Sequence, residues 1–180
     1  MHGLIHSELV NYIKQKRGLF FLQKVMEKAQ LSDQVYLPVG TYPDEEVLTI
    51  VTVSAKLMAI SVDDFLESFG FYLAAQFIER YRSYVDPQWK TLELLLNTEQ
   101  TIHRVVRLKD KCATPPRLKF SQIDENRVCL EYNSPRKLQA LARGMVKGVA
   151  DWYGERVRIT ERSDAETCQF EIAIKQAKPD

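Results

Sequence analysis

One histidine, His103, lies on the apolar side of a helix that the sequence predicts between about Trp89 and Leu108. The other residues on that side are mostly apolar: Leu92, Leu95, Leu96, Glu99 and Val106. A buried neutral imidazole can act as an axial ligand of heme iron. A core histidine hydrogen-bonded to backbone gives the same pattern, and local spacing favours that simpler explanation. His2 and His6 are expected to be solvated, because polar residues near a terminus usually are.

A second candidate site, at Tyr132, Ser134 and Arg136, lies where a predicted strand gives way to a helix. In extended backbone, side chains two residues apart point to the same side. Two hydroxyls and a planar guanidinium would then converge, and this set suits a carboxylate because arginine can donate two parallel hydrogen bonds. An edge tyrosine, a capping serine and a surface arginine explain the same residues, and spacing alone favours that explanation.

The segment Ala113-Thr114-Pro115-Pro116-Arg117 follows the His103 helix. Two consecutive prolines end a helix and impose a stiff extended turn. The pattern gains a functional meaning only if a flat ligand lies against it.

The sequence contains none of the common enzyme motifs. GxSxG, P-loop, GxGxxG and HExxH patterns are missing. The carboxylates are scattered or lie in the first turns of helices, where the helix dipole accounts for them. We therefore predict that the chain is not an enzyme.

Composition indicates a globular protein of the cytoplasm. The 180 residues are 45% hydrophobic and 27% charged, with a net charge of +1, which predicts neither nucleic-acid binding nor a basic membrane patch. No segment approaches the ~20 apolar residues of a membrane span, and Met1–Arg17 lacks the apolar run of a signal peptide. Cys112, Cys129 and Cys168 are odd in number and far apart, which favours a reducing compartment over a disulfide framework.

The predicted elements change in character near Pro115. Before it, apolar residues recur at helical spacing, with a stop at Gly18 and an acidic helix start at Asp44-Glu45-Glu46. After it, alternation over Arg117–Ser121 and Val128–Tyr132 predicts two strands.

A further helix is expected to begin with Ser134 as its N-cap and Pro135 in its first turn. Two more strands are expected near Arg156–Glu161 and Thr167–Ile174. The predicted fold class is therefore α+β: a helical N-terminal subdomain packed on an antiparallel β-sheet with helices.

Together these features resemble the heme nitric oxide/oxygen-binding (H-NOX) domain family, in its stand-alone bacterial form. The eukaryotic relative of this family is the heme domain of soluble guanylate cyclase. The resemblance covers the opening Met1-His2-Gly3-Leu4-Ile5, the His103 helix, the ATPPRL segment and the Tyr132-x-Ser134-x-Arg136 motif. That last motif, at its distance after the histidine, is the most specific of the four.

The resemblance implies a single domain over residues 1–180, with heme b buried inside it. A helical distal portion would span about 1–60, and the proximal helices and sheet about 61–180.

The resemblance also implies a role for each matching residue. His103 corresponds to the proximal iron ligand, and Tyr132, Ser134 and Arg136 to the clamp on the heme propionates. Pro116 is similar to the proline that presses on the porphyrin and distorts it. The residues that match the heme-packing and distal-pocket walls are Ile5, Leu73, Phe77, Leu141 and Met145.

Leu141 departs from the family members that bind O2 stably, since these carry a tyrosine at that position. A buried hydrogen bond to a charged acceptor contributes roughly 1.5–3 kcal/mol, about one to two decades in affinity. Leu141 cannot donate one, and neither can Leu73, Phe77 or Met145. The pocket is therefore expected to favour NO and CO and to bind O2 weakly or not at all.

A second departure concerns zinc, which some family members bind in the C-terminal sheet. Only Cys168 lies in that region of this sequence, without a nearby Cys or His, so no structural zinc is expected.

The resemblance implies that the chain senses NO at ferrous heme. Loss or weakening of the iron–His103 bond would let the heme relax against Pro116 and Ile5, and the helical portion would shift relative to the sheet. A separate protein, either a histidine kinase or a cyclic-dinucleotide enzyme, would receive the signal. The alternative is a heme-free relative that binds an apolar ligand or acts as an interaction module. A heme peroxidase or oxygenase would need polar distal groups. The expected distal wall is apolar, so this alternative ranks last.

Overall fold

The computed structural model of the chain describes residues 1–109, 115–163 and 168–175, which form seven α-helices and four β-strands. The helices are α1 (Gly3–Arg17), α2 (Leu19–Lys28), α3 (Asp44–Met58), α4 (Val62–Tyr81), α5 (Thr91–Asn97), α6 (Arg104–Lys109) and α7 (Gln139–Trp152). The strands are β1 (Arg117–Asp124), β2 (Arg127–Asn133), β3 (Val157–Ser163) and β4 (Cys168–Ile174). Cys112, Ala113, Thr114 and Thr167 lie outside the described residues.

The strands form one antiparallel sheet in the order β1-β2-β4-β3. Leu130 of β2 lies opposite Phe120 on one neighbour and Phe170 on the other. Alternate residues of β2 are buried, as expected for a sheet with one face on the core. That face packs against α5 and α7. The predicted α+β class and its four strands are confirmed.

The first helices follow their sequence signals closely. Gly18 ends α1 with φ of 81°, in the left-handed region that glycine adopts without steric strain, and its N–H donates to the carbonyl of Lys14 at 2.8 Å. Helix α3 begins at Asp44 with three carboxylates in its first turn, as predicted.

Helices α4 and α7 pack closely in the centre of the molecule because glycine lies at their contact. A Cβ added at Gly144 would lie 2.0 Å from the carbonyl oxygen of Glu67, and one added at Gly70 would lie 2.2 Å from that of Leu141. Arg143 of α7 adds an ion-pair link, with Nε 2.5 Å from Glu67 and Nη1 2.7 Å from Glu161 on β3. This packing fixes the position of the two helices relative to the sheet.

The long helix predicted over Trp89–Leu108 is interrupted. Helix α5 ends at Asn97, a π-helical turn covers Glu99–His103, and α6 follows. The N–H of His103 donates to the carbonyl of Thr98, five residues back, at 3.0 Å. Such turns insert an extra residue into a helix and occur often at functional sites.

The prediction that Ser134 caps the next helix is wrong, because α7 begins five residues later at Gln139. The carbonyl of Ser134 accepts a hydrogen bond from the N–H of Lys137 at 3.2 Å, which closes a turn around Pro135. Lys137 has φ of 51°, and this left-handed conformation prevents the helix from starting there. Arg136 therefore lies in a turn between strand and helix.

Candidate functional site

A predominantly apolar cavity lies between the N-terminus, α4, α7, the π-helical turn and the sheet. Its lining includes all ten residues that the sequence analysis assigned to a site: Ile5, Leu73, Phe77, His103, Pro116, Tyr132, Ser134, Arg136, Leu141 and Met145. These residues come from separate segments of the chain, so the fold brings them together. The role of each one stays a prediction.

His103 closes the π-helical turn and is largely buried, with its side chain 14% exposed. Its Nδ1 lies 2.8 Å from Oε2 of Glu99, one helical turn earlier. The other oxygen of Glu99 accepts from Nη2 of Arg107 at 2.5 Å. Among the described residues, Nε2 of His103 has no hydrogen-bond partner.

Burial favours the neutral form of His103. Loss of solvation lowers the pKa of its imidazole below the usual range, although the Glu99 carboxylate works in the opposite direction. Burial works to raise the pKa of Glu99, but hydrogen bonds from His103 and Arg107 outweigh it and lower that pKa. Since an ionised carboxylate only accepts hydrogen bonds, Nδ1 of His103 must carry the proton. Nε2 is then the nitrogen with a free lone pair.

The three residues of the predicted carboxylate clamp border the same cavity. Tyr132 is buried at the end of β2, opposite Leu118 of β1. The hydroxyl of Ser134 accepts from the N–H of Arg136 at 3.3 Å, which helps to hold the turn that carries the guanidinium. The turn, rather than two-residue alternation in a strand, therefore places Arg136.

Asp44 binds the guanidinium of Arg136 from α3. Nε of Arg136 lies 2.5 Å from one carboxylate oxygen of Asp44, and Nη2 lies 3.4 Å from the other. The same carboxylate lies 2.7 Å from the Met1 ammonium group. Burial works to raise the pKa of Asp44, but the hydrogen bonds from Met1 and Arg136 outweigh it and lower that pKa. This contact orients the arginine.

Replacing Asp44 by asparagine should lower the free energy of unfolding by about 1 kcal/mol at neutral pH, because charged hydrogen bonds in a half-exposed site are lost. Since folding depresses the pKa of Asp44, this stabilisation is present above the unfolded value of about 3.9 and is lost as the pH falls through the folded value. Urea unfolding at neutral and acid pH checks both points. The control is Glu45→Gln, an exposed carboxylate in the same helical turn, which should change stability by only a few tenths of a kcal/mol. An equal effect of the two variants would contradict the prediction.

The cavity wall also contains polar residues that were not predicted from the sequence to line it: His2, Tyr81 and Thr98. The expectation that His2 is solvated is wrong, because it is half-buried and its Nδ1 accepts from the N–H of Leu4 at 3.1 Å. The Thr98 hydroxyl already donates to the carbonyl of Leu94 at 2.8 Å. Tyr81 packs with Leu94 and Ile102, on the side of the cavity that carries His103.

His6 was also expected to be solvated, and that prediction is wrong as well. Its side chain is fully buried, and Nε2 donates to the carbonyl of Pro43 at 3.1 Å. Its ring lies beside Tyr36 and Tyr42, with centroids 4.8 and 5.2 Å away. It does not line the cavity described above. The loop before α3 covers α1 and takes His6 out of solvent, which terminal position alone could not reveal.

The contacts made by Glu99 and Asp44 were missed at the level of sequence. For Glu99 a signal exists, since Glu99, His103 and Arg107 follow one another at four-residue steps, the spacing at which helical side chains meet. For Asp44 there is none, because its partner Arg136 is 92 residues away.

The residues present fit a flat apolar ligand with carboxylates on its edge and a metal at its centre. His103 offers a neutral nitrogen, Pro116 a rigid ring, and Tyr132, Ser134 and Arg136 hydrogen-bond donors. Heme b has this combination of properties.

Within residues 1–109, 115–163 and 168–175, no group of three or more His, Cys, Asp or Glu side chains is arranged to hold a metal ion. No helix in those ranges has the length and apolar content needed to cross a membrane.

Comparison with known proteins identifies the family. The haem-NO-binding family model matches residues 2–161. An H-NOX protein from S. oneidensis, solved in the Fe(II)NO ligation state, superimposes with a TM-score of 0.91 at 23% identity, over 98% of this chain and 100% of that chain. The unliganded Fe(II) H-NOX protein from K. algicida gives 0.88 at 21% identity, over all of both chains.

A mutant H-NOX protein from T. tengcongensis gives a TM-score of 0.86 at 19% identity, over 99% of this chain and 100% of that chain. Curated protein sequences yield no match. At these identities the solved structures establish the shared fold, and the family model, matching most of the sequence, establishes the relationship. The chain belongs to the haem-NO-binding, or H-NOX, family.

Proposed function

We propose that this chain binds one heme b and senses nitric oxide at the ferrous iron, without enzymatic activity of its own. The observation that carries the proposal is the common location of a largely buried histidine, a proline and the side chains of Tyr132, Ser134 and Arg136 around one apolar cavity. The proposal includes no structural zinc and a cytoplasmic location.

Heme would supply the iron that coordinates the gas, and the chain's own residues would hold and orient it. His103 would bind the iron through Nε2. Tyr132, Ser134 and Arg136 would bind the propionates, with Asp44 orienting the guanidinium. Pro116 would press on the macrocycle.

The gas would bind on the face away from His103. The side chains proposed for that wall are Leu73 and Phe77 on α4, and Leu141 and Met145 on α7. Ile5 on α1 lines the same cavity. None of these side chains carries a hydrogen-bond donor. CO should bind as well, since it too needs no donor.

An absorption spectrum of the heme-supplemented, reduced protein tests the proposal. The heme band of the reduced protein should shift when NO is added. In air-saturated buffer without NO, the reduced protein should give no oxygenated spectrum. A protein that stays colourless with heme supplied would instead support a heme-free relative that uses the cavity for an apolar ligand or acts as an interaction module.

Replacing Leu141 by tyrosine should raise O2 affinity by about one to two decades, because a donor would then face a partly negative ligand. Oxygen titration of the ferrous protein measures this, with Leu141→Phe as the control that adds a ring without a hydroxyl. A stable oxygenated spectrum of the unaltered protein would contradict the premise. The lining side chain His2 would then be the first donor to replace.

The signal is proposed to pass to a separate histidine kinase or cyclic-dinucleotide enzyme. The cavity is bordered by the N-terminal helix on one side and by the sheet on the other, so a change inside it acts on both. Two states separated by a few kcal/mol are enough for a switch. Kinase or cyclase assays with and without NO test the relay for a given partner.

A further inference from the structure

Glu99 and Arg107 form a network of charged side chains behind His103. Oε2 of Glu99 lies 2.8 Å from Nδ1 of the imidazole, and Oε1 lies 2.5 Å from Nη2 of Arg107. The carboxylate therefore contacts the imidazole on one side and a guanidinium cation on the other. The Glu99 side chain is 30% exposed, compared with 14% for His103, so this network leads from the cavity wall toward solvent.

The π-helical turn brings this network of side chains to the cavity. It covers Glu99–His103, so both partners of the hydrogen bond lie within one irregular turn, and the imidazole faces the cavity while the carboxylate lies behind it. An exposed ion pair at four-residue spacing would stabilise the helix only slightly. Here His103 is largely buried against the cavity. Its hydrogen bond to Glu99 therefore acts on the imidazole that is proposed to bind the iron.

A carboxylate that accepts the proton of a metal-bound imidazole has two effects. It fixes the tautomer and the ring orientation, and it makes the opposite nitrogen a stronger donor to the metal. The second effect depends on how much negative charge the carboxylate places on Nδ1–H. A cation on its other oxygen draws part of that charge away.

We infer that Glu99 is a positioning residue that strengthens the bond from His103 to heme iron, with Arg107 limiting its effect. This inference rests on the proposed heme binding. Glu99 fixes Nε2 as the coordinating nitrogen and increases its electron donation. Arg107 sets how much of the carboxylate charge reaches the imidazole, and therefore how readily a gas on the opposite face weakens the axial bond.

Resonance Raman spectroscopy of the ferrous heme-loaded protein measures the iron–histidine stretching frequency directly. Glu99→Gln keeps an acceptor for Nδ1 but removes the charge, so the frequency should fall and the rate of heme transfer to an acceptor globin should rise about 10-fold. Arg107→Gln removes the competing cation, so the frequency should rise. Glu45→Gln removes an exposed carboxylate elsewhere and should change neither quantity.

Opposite shifts of the two variants support the inference. An unchanged frequency in Glu99→Gln, or a frequency in Arg107→Gln that does not rise, overturns it. Circular dichroism checks that each variant is folded, and should Glu99→Gln not fold, the sign of the Arg107→Gln shift decides. If the unaltered protein takes up no heme, the proposed function itself fails, which is a separate outcome.

Discussion

Glycine in place of His103 should abolish the axial bond to heme and lower heme affinity by roughly 100-fold or more, since losing an outer-sphere partner alone lowers metal affinity about 10- to 100-fold. The reason lies in the cavity lining. His103 is the histidine on the α5–α6 side of the cavity, and its Nε2 has no other partner among the described residues. Heme titration and the absorption spectrum of the ferrous protein measure the loss.

Added imidazole should restore the spectrum of the glycine variant, because the deleted side chain leaves a space that matches it. The response of a signalling partner to NO should not return, since free imidazole has no link to the helix. His6→Phe is the matched control: it replaces a fully buried histidine that does not line the cavity, so it should keep the heme spectrum. An unchanged spectrum in His103→Gly would show that His103 is not the ligand of the iron.

Alanine in place of Gly144 should lower the free energy of unfolding by about 3 kcal/mol, at the upper end of the effects of overpacking. The added Cβ would lie 2.0 Å from the carbonyl oxygen of Glu67, which belongs to the backbone of α4 and cannot turn aside like a flexible side chain. In an open helix the same change would stabilise by up to about 1 kcal/mol, because alanine is the better helix former. The clash therefore decides the sign.

Thermal unfolding measures this effect, which corresponds to a melting temperature about 6–12 °C lower for a chain of this size. Gly154→Ala is the control. Gly154 has φ of 69° but nothing within 4 Å of an added Cβ, so only backbone strain applies there, at about 1 kcal/mol. A Gly144→Ala variant as stable as the unaltered protein would show that α4 and α7 can separate without loss.

Local sequence signals were sufficient for most of the elements. Gly18 ends a helix because its backbone takes a positive φ, and the carboxylates at Asp44 begin one because they face a helix N-terminus. Alternation along β2 located a strand with one buried face. The Ser134-Pro135 signal failed because a turn and a helix start share the same residue preferences, and the left-handed Lys137 selected the turn.

The candidate site divides in a similar way. The resemblance to the H-NOX family implied which side chains belong together, from Ile5 at one end of the chain to Met145 near the other, and the fold places them around one cavity. What each of them binds stays a prediction that heme titration, spectra and the variants above can test.

The sequence by itself determined the α+β class and the position of most helices and strands, because these depend on local periodicity. Its resemblance to the H-NOX family indicated the set of residues around the cavity. Only the tertiary structure decided which charges act on them. Glu99 reaches Nδ1 of His103 through an irregular turn, and Asp44 reaches Arg136 across 92 residues. The Asp44–Arg136 contact depends on a distance of a few ångströms between separately folded segments, which no local pattern encodes. The four-residue spacing of Glu99 and His103 allows their contact, but only the fold places it at the cavity wall. His103, an ordinary core histidine by its spacing, became a candidate iron ligand through the family resemblance, and the fold places it at the cavity wall.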